Sequence, residues 1–458
     1  LAADEAYPIG PSPSAESYLR MDRLIEAALA AGAEAIHPGY GFLSEQAAFV
    51  REVRAAGLVF IGPSPESVEV MGDKPKARKH MRAAGVPVVP GSEEPLADAT
   101  EARRIAQEIG FPVLLKAAAG GGGKGMRIMR SDADVEIAFR AAGNEARAAF
   151  GDDSLYLEKH LHGPRHIEIQ VLADRHGSTL HLGERECSIQ RRHQKMIEEA
   201  PSPALTLEQR ARMGATAVAA ARAVEYEGAG TVEFLYHEGE FFFLEMNTRI
   251  QVEHPVTEMV TGIDLVQWQI RIASGEALPY RQDEIGLRGH AIECRITSED
   301  PGNSFLPSTG RIEVLELPGG PGVRWDAGIA AGSDIGLFYD PLLAKLIVHA
   351  PDRDLAIARM RRALSELRIE GVATSAPFHL RVMDEPEFRA GRIDILYMDR
   401  HGEELMLPAA SDEHIRVVAL AAALLEEERR VRPTAGTPSD RGGSGSSSWK
   451  RATGWKGR

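Results

Sequence analysis

Two β-forming runs, Thr231-Val232-Glu233-Phe234-Leu235-Tyr236 and Glu240 to Asn247, stand either side of Glu238-Gly239 and read as an antiparallel hairpin. Register then decides the chemistry. A two-residue turn places Glu233 opposite Leu244 and leaves Glu245 on the other face, whereas a three-residue loop, Glu238 to Glu240, places Glu233 opposite Glu245. The pattern predicts the odd loop or an equivalent bulge. Facing carboxylates repel unless a cation lies between them, so this geometry implies Mg²⁺ or Mn²⁺ held by Glu233, Glu245 and Asn247, with phosphate oxygens completing the shell. Beyond Asn247 the alternation of polar and apolar residues continues to Glu253. In one extended strand Glu245, Asn247, Arg249, Gln251 and Glu253 would line one side, and Met246, Thr248, Ile250 and Val252 the other. Such a row holds a hard cation and an anion side by side. Read alone, it is equally an amphipathic strand with its polar face in water.

A second constraint is the run Gly120-Gly121-Gly122-Gly123-Lys124-Gly125. Its spacing satisfies G-x-G-x-x-G, yet Met126-Arg127-Ile128-Met129 continues as strand instead of opening a helix, which is the wrong context for a dinucleotide fold. Met126 also stands where a Walker loop needs lysine. A loop between two strands, with Lys116 before it and Lys124 within it, suits folding down over a triphosphate; a plain glycine linker is the alternative. Ser188 to Lys195 reads as a cationic loop after a strand, either a solvated basic turn or a surface for a nucleotide and a small anion. Leu155 to Leu161 reads as a strand whose end offers backbone groups to an adenine edge, or as an ordinary surface strand.

Around these motifs, 458 residues imply roughly three packing units on the scale of ~100 to 200 residues each. Residues 14 to 92 alternate helix and strand in the rhythm of a parallel sheet, with Ser14 expected to cap a helix running to Ala31. Segment 96 to 165 reads helix, strand, glycine loop, strand, helix. Strands then surround a long helix at about 205 to 224. More strands and two helices fill 288 to 400, and a last helix at about 412 to 428 leads into a Gly/Ser/Arg-rich tail. A net charge of −14 argues against a nucleic-acid binder. Cys187 and Cys294, the two cysteines, make neither a disulfide framework nor a zinc site and read as core residues. The absence of an apolar run of ~18 residues or of a leader points to no membrane span and a cytoplasmic location.

With two carboxylates, a glycine lid and a cationic loop in this order, the chain resembles the ATP-grasp enzymes and, within them, is similar to the biotin carboxylases. The likeness rests on His37-Pro38-Gly39-Tyr40-Gly41-Phe42-Leu43-Ser44-Glu45, Met71-Gly72-Asp73-Lys74, Lys116 with Gly120 to Met126, Gln190 to Lys195, Glu245 to Thr257 and Glu293-Cys294-Arg295, and it covers about residues 1 to 400. The resemblance implies an α/β and α+β architecture, the ATP-grasp fold. An N-terminal parallel α/β (pre-ATP-grasp) domain would span 1–72, an ATP-grasp domain 73–287 with a small mobile lid at about 96–165, a C-terminal biotin-carboxylase domain 288–402, and a helix with a linker-like tail 403–458. The family's usual opening unit does not precede Leu1, so the first domain is expected to lack its start, ~40 residues on the scale of a βα unit.

By the same resemblance, Lys74, Lys116, Gly122 and Gly123, the strand end Glu158, Lys159, His160 and Leu161, with His166, Gln190 and His193, look like ATP contacts. Glu233, Glu245 and Asn247 look like ligands of the metal, with two ions expected. Lys195, Arg249, Gln251 and Val252 match a bicarbonate site, Glu253 its general base, and Arg295 the residue that meets biotin and the transferred anion. The implied reaction activates bicarbonate with ATP as carboxyphosphate and passes CO₂ to biotin on a carrier. A biotin carboxyl carrier protein or domain, a carboxyltransferase and a homodimeric state are implied as partners; no Met-Lys-Met biotinylation site occurs in the chain. Two alternatives stand beside this one: another ATP-grasp ligase, such as a carbamoyl-phosphate synthetase half, and a truncated non-catalytic assembly component.

Overall fold

The computed structural model describes residues 3–117, 126–150, 152–406 and 412–431. Two compact units result, Leu1–Leu407 and Pro408–Arg458.

The first unit begins with helix α1 (Met21–Ala30), strand β1 (Ala35–Ile36), helix α2 (Ala47–Ala55) and strand β2 (Val59–Phe60), and β1 pairs with β2 in parallel through Ala35↔Val59 and Ile36↔Phe60. The helix expected from Ser14 starts instead at Met21. Ser14 opens a 3-10 turn, Ser14–Glu16, without a side-chain cap. The apolar stripe decides where it starts: Met21, Leu24, Ile25 and Ala28 recur at helical spacing and pack on Phe49, Val53, Leu58 and Phe60, whereas Tyr18 and Leu19 remain exposed and add nothing to that contact.

Helices α3 (Pro65–Gly72) and α4 (Lys74–Ala83) follow, capped by the side chains of Ser64 and Asp73. A small subdomain comes next: α5 (Ala99–Ile109), β3 (Val113–Ala117), β4 (Met126–Met129), α6 (Val135–Phe150) and β5 (Leu155–Lys159). Its three strands lie in the order β4-β3-β5 over a core of their own that includes Ala102, Ala106, Val113, Leu115, Met129 and Leu157. The glycine run expected to form the lid, with Gly122 and Gly123, lies outside the described residues; Lys116 and Met126 pair across the strands that lead to it.

The main sheet is built from β6 (Arg165–Ala173), β7 (Thr179–Arg191), β8 (Gln194–Ala200), β9 (Gly228–His237), β10 (Glu240–Asn247), β11 (His290–Thr297), β12 (Val323–Ala327) and β13 (Leu342–Ala350). Its order is β10-β9-β6-β7-β8-β11-β13-β12, antiparallel throughout. Ser188 to Lys195 is not a loop: β7 and β8 extend through it and meet at a tight turn, with Arg192 and His193 at φ +52° and +65°. Helix α7 (Leu207–Ala223) starts in a capping box, Thr206 with Gln209, and buries Met213, Ala217, Ala220 and Ala221 against Ile167, Ile169, Val232 and Phe234 on one face of the sheet. The opposite face of the same strands carries Glu168, Gln170, Arg185, Thr231 and Glu233, all buried. Helix α8 (His254–Thr261) packs beside that polar layer, with Thr257 bonded to Arg185 and with Val256 and Val260 on Ala200, Ala291 and Ile347. Beyond β11, helices Arg353–Glu366 and Ala376–Asp384 close a second core that contains Ile292, Cys294, Leu346, Met360 and Phe378. Cys187 and Cys294 are both free and buried.

The second unit holds the helix Asp412–Val431. Among the described residues no helix is long and apolar enough to cross a membrane.

Candidate active site

The hairpin that organises the site has a two-residue turn. Glu238 and Gly239 both take positive φ, +49° and +87°, and His237 pairs with Glu240. That turn alone would set Glu233 against Leu244. The register instead slips by one residue between Phe243 and Glu245, so that Leu244 is the extra residue of a bulge and Glu245 stands directly opposite Glu233. The expected juxtaposition is present, produced by a bulge and not by an odd loop.

The polar row does not continue as one strand. β10 ends at Asn247, and residues 248 to 253 turn away before α8 begins. Glu45 draws the chain off the sheet: its carboxylate accepts from the Thr248 backbone N–H (3.1 Å) and from Arg249 Nε (2.9 Å). Glu253 is therefore the N-cap residue of α8, followed at once by His254-Pro255. Arg249, Gln251 and Glu253 therefore reach Asn247, Glu233 and Lys195 from a folded segment and not from an extended row.

At the centre is Lys195. Its Nζ donates to Glu253 Oε1 at 2.6 Å, to Glu233 Oε1 at 3.0 Å and to Glu168. Glu233 Oε1 also accepts from Asn247 Nδ2 (2.8 Å) and Gln251 Nε2 (2.7 Å), and its Oε2 lies 2.9 Å from His166 Nε2. Arg295 Nη2 reaches the other oxygen of Glu253 at 2.9 Å, and its Nε donates to Glu198 at 2.6 Å. Burial works against charge on Glu253, yet Lys195, Arg295 and Arg185 hold its carboxyl well below the usual carboxylate range. Glu233 is likewise held down, against its burial, by Lys195 and His166. The reciprocal effect raises Lys195: desolvation is outweighed by Glu168, Glu233 and Glu253. The cluster thus consists of fixed ions, with carboxylates and cations interleaved out of water.

Arg249 donates to Asn247 Oδ1 (3.1 Å) in addition to Glu45, and Val252 offers its carbonyl to Lys345 Nζ at 2.7 Å. Lys74, exposed, lies 3.2 Å from Glu245 Oε2. Lys116 on the small subdomain and Arg78 on α4 both pair with Glu158, and Lys159 Nζ bonds the carbonyl of Gly110 at 2.8 Å. The His160 N–H pairs with the carbonyl of Pro112, Leu161 follows it, Gln190 donates to the Cys187 carbonyl, and His193 sits exposed at the β7–β8 turn. The structure therefore brings together Lys195, Glu233, Asn247, Gln251, Glu253, His166 and Arg295 by direct contact, with Arg249, Glu245 and Lys74 at its margin. Lys116 on β3, Glu158 and Lys159 on β5, and His160 and Leu161 just beyond its end form a separate group.

Reading from sequence alone missed Glu168, Arg185, Glu198 and Glu45. Arg185 is fully buried and spends its donors on Glu168, Gln170, Thr257, Thr231 and Gln251 at 2.5 to 3.1 Å. A signal existed in β6, where His166, Glu168 and Gln170 alternate with Ile167, Ile169 and Val171: a long strand with a charged face in the middle of a sheet needs buried partners.

Comparison with known proteins separates the remaining readings. Residues 73–281 match the family model described as the carbamoyl-phosphate synthase L chain, ATP binding domain, which the two ligase readings would share. The flanks differ: residues 1–68 match the N-terminal domain of biotin carboxylase and residues 293–400 its C-terminal domain. The chain belongs to the biotin carboxylase family. Its relatives in that family include the biotin carboxylase of Haemophilus influenzae, 51% identical over 401 residues, covering 87% of this chain and 89% of that protein. The chloroplastic biotin carboxylase of Arabidopsis thaliana is 54% identical over 407 residues, 89% of this chain and 76% of the other. Among solved structures, the biotin carboxylase domain dimer of Hydrogenobacter thermophilus 2-oxoglutarate carboxylase, in complex with MgADP, ADP and bicarbonate, superposes with a TM-score of 0.80 at 50% identity, covering 89% of this chain and 90% of that one. The fold is the ATP-grasp fold, and the chain is a biotin carboxylase: a ligase that uses ATP and bicarbonate to carboxylate biotin.

Proposed function

We propose that the Lys195–Glu253–Arg295 contact is the reacting centre, with Glu253 as the base that takes the proton of bicarbonate. The observation that carries this reading is one carboxylate held ionised between two cations, 2.6 Å from Lys195 and 2.9 Å from Arg295. A base must start deprotonated, and these contacts ensure it. Bicarbonate entering beside Lys195, Arg249, Gln251 and the Val252 backbone draws the cations toward itself. Glu253 then loses part of their stabilisation and gains proton affinity when the nucleophile needs it. The bicarbonate oxygen attacks the γ-phosphate of ATP, giving carboxyphosphate and ADP; the anhydride yields CO₂ and phosphate, phosphate takes the ureido proton of biotin, and Arg295 stabilises the biotin anion that captures CO₂.

ATP is assigned to Lys74, Lys116, Gly122, Gly123, the Glu158–Leu161 strand end, His166, Gln190 and His193. The pairing of Lys116 and Arg78 on one carboxylate supports this, because it keeps a cationic pair ordered beside the strands that lead to the glycine run. Glu233, Glu245 and Asn247 fit Mg²⁺ or Mn²⁺: two facing carboxylates and an amide oxygen are hard donors, and Lys195, His166 and Lys74 now supply the positive charge beside them. A divalent ion there supplies charge against the transferring phosphoryl group. The division into 1–72, 73–287, 288–402 and 403–458 is proposed as functional modules, and the family matches over 1–68, 73–281 and 293–400 support it. Carrier-bound biotin, a carboxyltransferase acting downstream and a homodimer complete the reading; the dimer named for the H. thermophilus domain supports the last.

ADP release with bicarbonate, with and without free biotin, tests these roles in wild type and Arg295→Ala. Biotin carboxylation is expected to fall by about 100-fold or more while the affinity for ATP stays within about threefold. Equal loss of both would remove Arg295 from the biotin step.

A further inference from the structure

Glu293 is a fully buried carboxyl group on β11, and neither of its oxygens has a hydrogen-bond partner. Directly across the ladder on β8 stands Glu198, its partner in the antiparallel register. Side chains so placed leave the same face of the sheet with Cβ atoms about 5 Å apart. Glu198 is also fully buried; its Oε1 accepts from Arg295 Nε at 2.6 Å, and its Oε2 has no partner. Three of the four carboxyl oxygens of this pair thus meet no donor from the rest of the protein. Two adjacent ionised carboxylates in that state would carry a desolvation cost that nothing repays.

The neighbours leave Arg295 as the one cation hydrogen-bonded to the pair among the described residues. Lys345, opposite Arg295 on β13, donates to the Val252 carbonyl and lies 3.7 Å from Asp326 on β12. Lys195 on β8 is taken up by Glu168, Glu233 and Glu253. From the α8 side come Glu253, which shares Arg295, and His254, which burial and then Lys345 push down to about 3, so that it is neutral. In the N-terminal segment the Tyr40 phenol is raised by burial and then by the charge of Glu293. The Cys187 and Cys294 thiols are raised well above their ordinary value by burial and stay protonated. Burial pushes Glu293 far up against the pull of Lys345, and Glu198 up to about 7 against the pull of Arg295.

We propose that Glu198 and Glu293 share one proton and, as a pair of single negative charge behind Arg295, position its guanidinium for the biotin half of the reaction. The inference rests on the role assigned above to Arg295. With the shared proton in place, Arg295 balances two anions, Glu198 and Glu253. When Glu253 takes the bicarbonate proton, the guanidinium keeps one anionic partner and turns its released N–H groups toward the biotin anion. Ionisation of the pair adds a second anion behind Arg295, holds it in the wall of the site and lowers its capacity to stabilise another anion. Neither glutamate touches substrate; both act through Arg295.

The test combines the pH profile of kcat for biotin carboxylation with infrared detection of the protonated carboxyl C=O band, read without substrate, on wild type, Glu293→Gln and Glu293→Asp. The wild-type band is expected at neutral pH and fades in step with the alkaline limb of kcat. Glu293→Gln keeps a neutral group where the proton resided, so it loses that part of the band and moves the alkaline limb up by about one pH unit or more. Glu293→Asp keeps an ionisable group and returns the limb toward the wild-type position. A wild-type enzyme with no such band at neutral pH overturns the inference, as does a Glu293→Gln limb that coincides with the wild type. Should Glu293→Gln fail to fold, the wild-type protein decides: band and limb titrating together uphold the pair, and separate titration refutes it. Because the band is read without substrate, failure of the pair and failure of the Arg295 assignment, which Arg295→Ala tests, are separately visible.

Discussion

Arg185 has all five guanidinium donors engaged, by Glu168, Gln170, Thr257, Thr231 and Gln251. These acceptors lie on β6, β9, α8 and the turn that leads into it, so a single side chain fixes the floor beneath Lys195 and Gln251. Arg185→Leu leaves Glu168 with less compensation and four polar groups short of a donor. The expected loss is about 3 to 5 kcal/mol, measured by denaturant unfolding. Arg185→Lys is expected to recover less than half of it, since one ammonium cannot reach five acceptors in a plane. Arg185 was illegible beforehand for a physical reason: it lies in Gly183-Glu184-Arg185-Glu186-Cys187, where charges alternate in sign on a strand buried on both faces. Glu184 and Glu186 go to the side of Ser202 and Arg210, while Arg185 faces the site, and only the tertiary partners distinguish the two. Glu233 and Glu245 could be singled out because two β-forming runs flank Glu238-Gly239, and Lys195 because it ends a cationic run.

At the level of elements, the bulge at Leu244 decides which face Glu245 joins. Deleting Leu244 removes the extra residue while Glu245 inherits the position opposite Glu233, so the pairing survives a shorter strand. The ΔLeu244 protein is expected to keep its thermal stabilisation by Mg-ATP to within about 1 kcal/mol of wild type. Loss of that stabilisation in a folded protein would show that the bulge aims the carboxylate and does not merely set register. The hairpin itself was legible from strand composition and from Glu238-Gly239. The path from Thr248 to Glu253 was not, because alternation describes a strand only until something pulls the chain away, and Glu45, some 200 residues earlier in the chain, does so here. Likewise, Ser188 to Lys195 looked like a loop because it is cationic, but Gln190↔Lys195 and Arg191↔Gln194 are ladder pairs.

For the molecule as a whole, the eight-stranded sheet runs unbroken from β10, β9 and β6 to β11, β13 and β12, so the carboxylate cluster and Arg295 share one scaffold. Glu199 helps to tie that scaffold to the C-terminal helices. Its carboxylate accepts from His290 Nε2 (2.6 Å) and from Arg353 Nε (2.7 Å) and Nη2 (3.0 Å). Burial opposes its charge, but Arg353 and His290 hold it down to about 2. A depressed carboxyl favours the ionised fold, while the unfolded chain takes up a proton near its ordinary value of about 4.5; the stabilisation is therefore full above that value and is lost as pH falls toward 2. Acid unfolding followed by circular dichroism is expected to lose on the order of 3 kcal/mol from this group across that window, and Glu199→Gln, already destabilised at neutral pH, is expected to show a flatter decline. The sequence motifs, spread from His37 to Arg295, were enough to identify the architecture; the contacts that unite β8 with β11 were not, because they join residues about 90 positions apart with no local mark.

The chemistry proposed for the site depends on Glu253, held ionised between Lys195 and Arg295, being the base for bicarbonate. The decisive measurement is bicarbonate-dependent ADP release by Glu253→Gln, taken beside the thermal shift with Mg-ATP. A fall in kcat of about 100-fold or more is expected, with the Mg-ATP shift retained. Release at the wild-type rate, or a loss that follows the disappearance of nucleotide binding, would show that Glu253 is not the base.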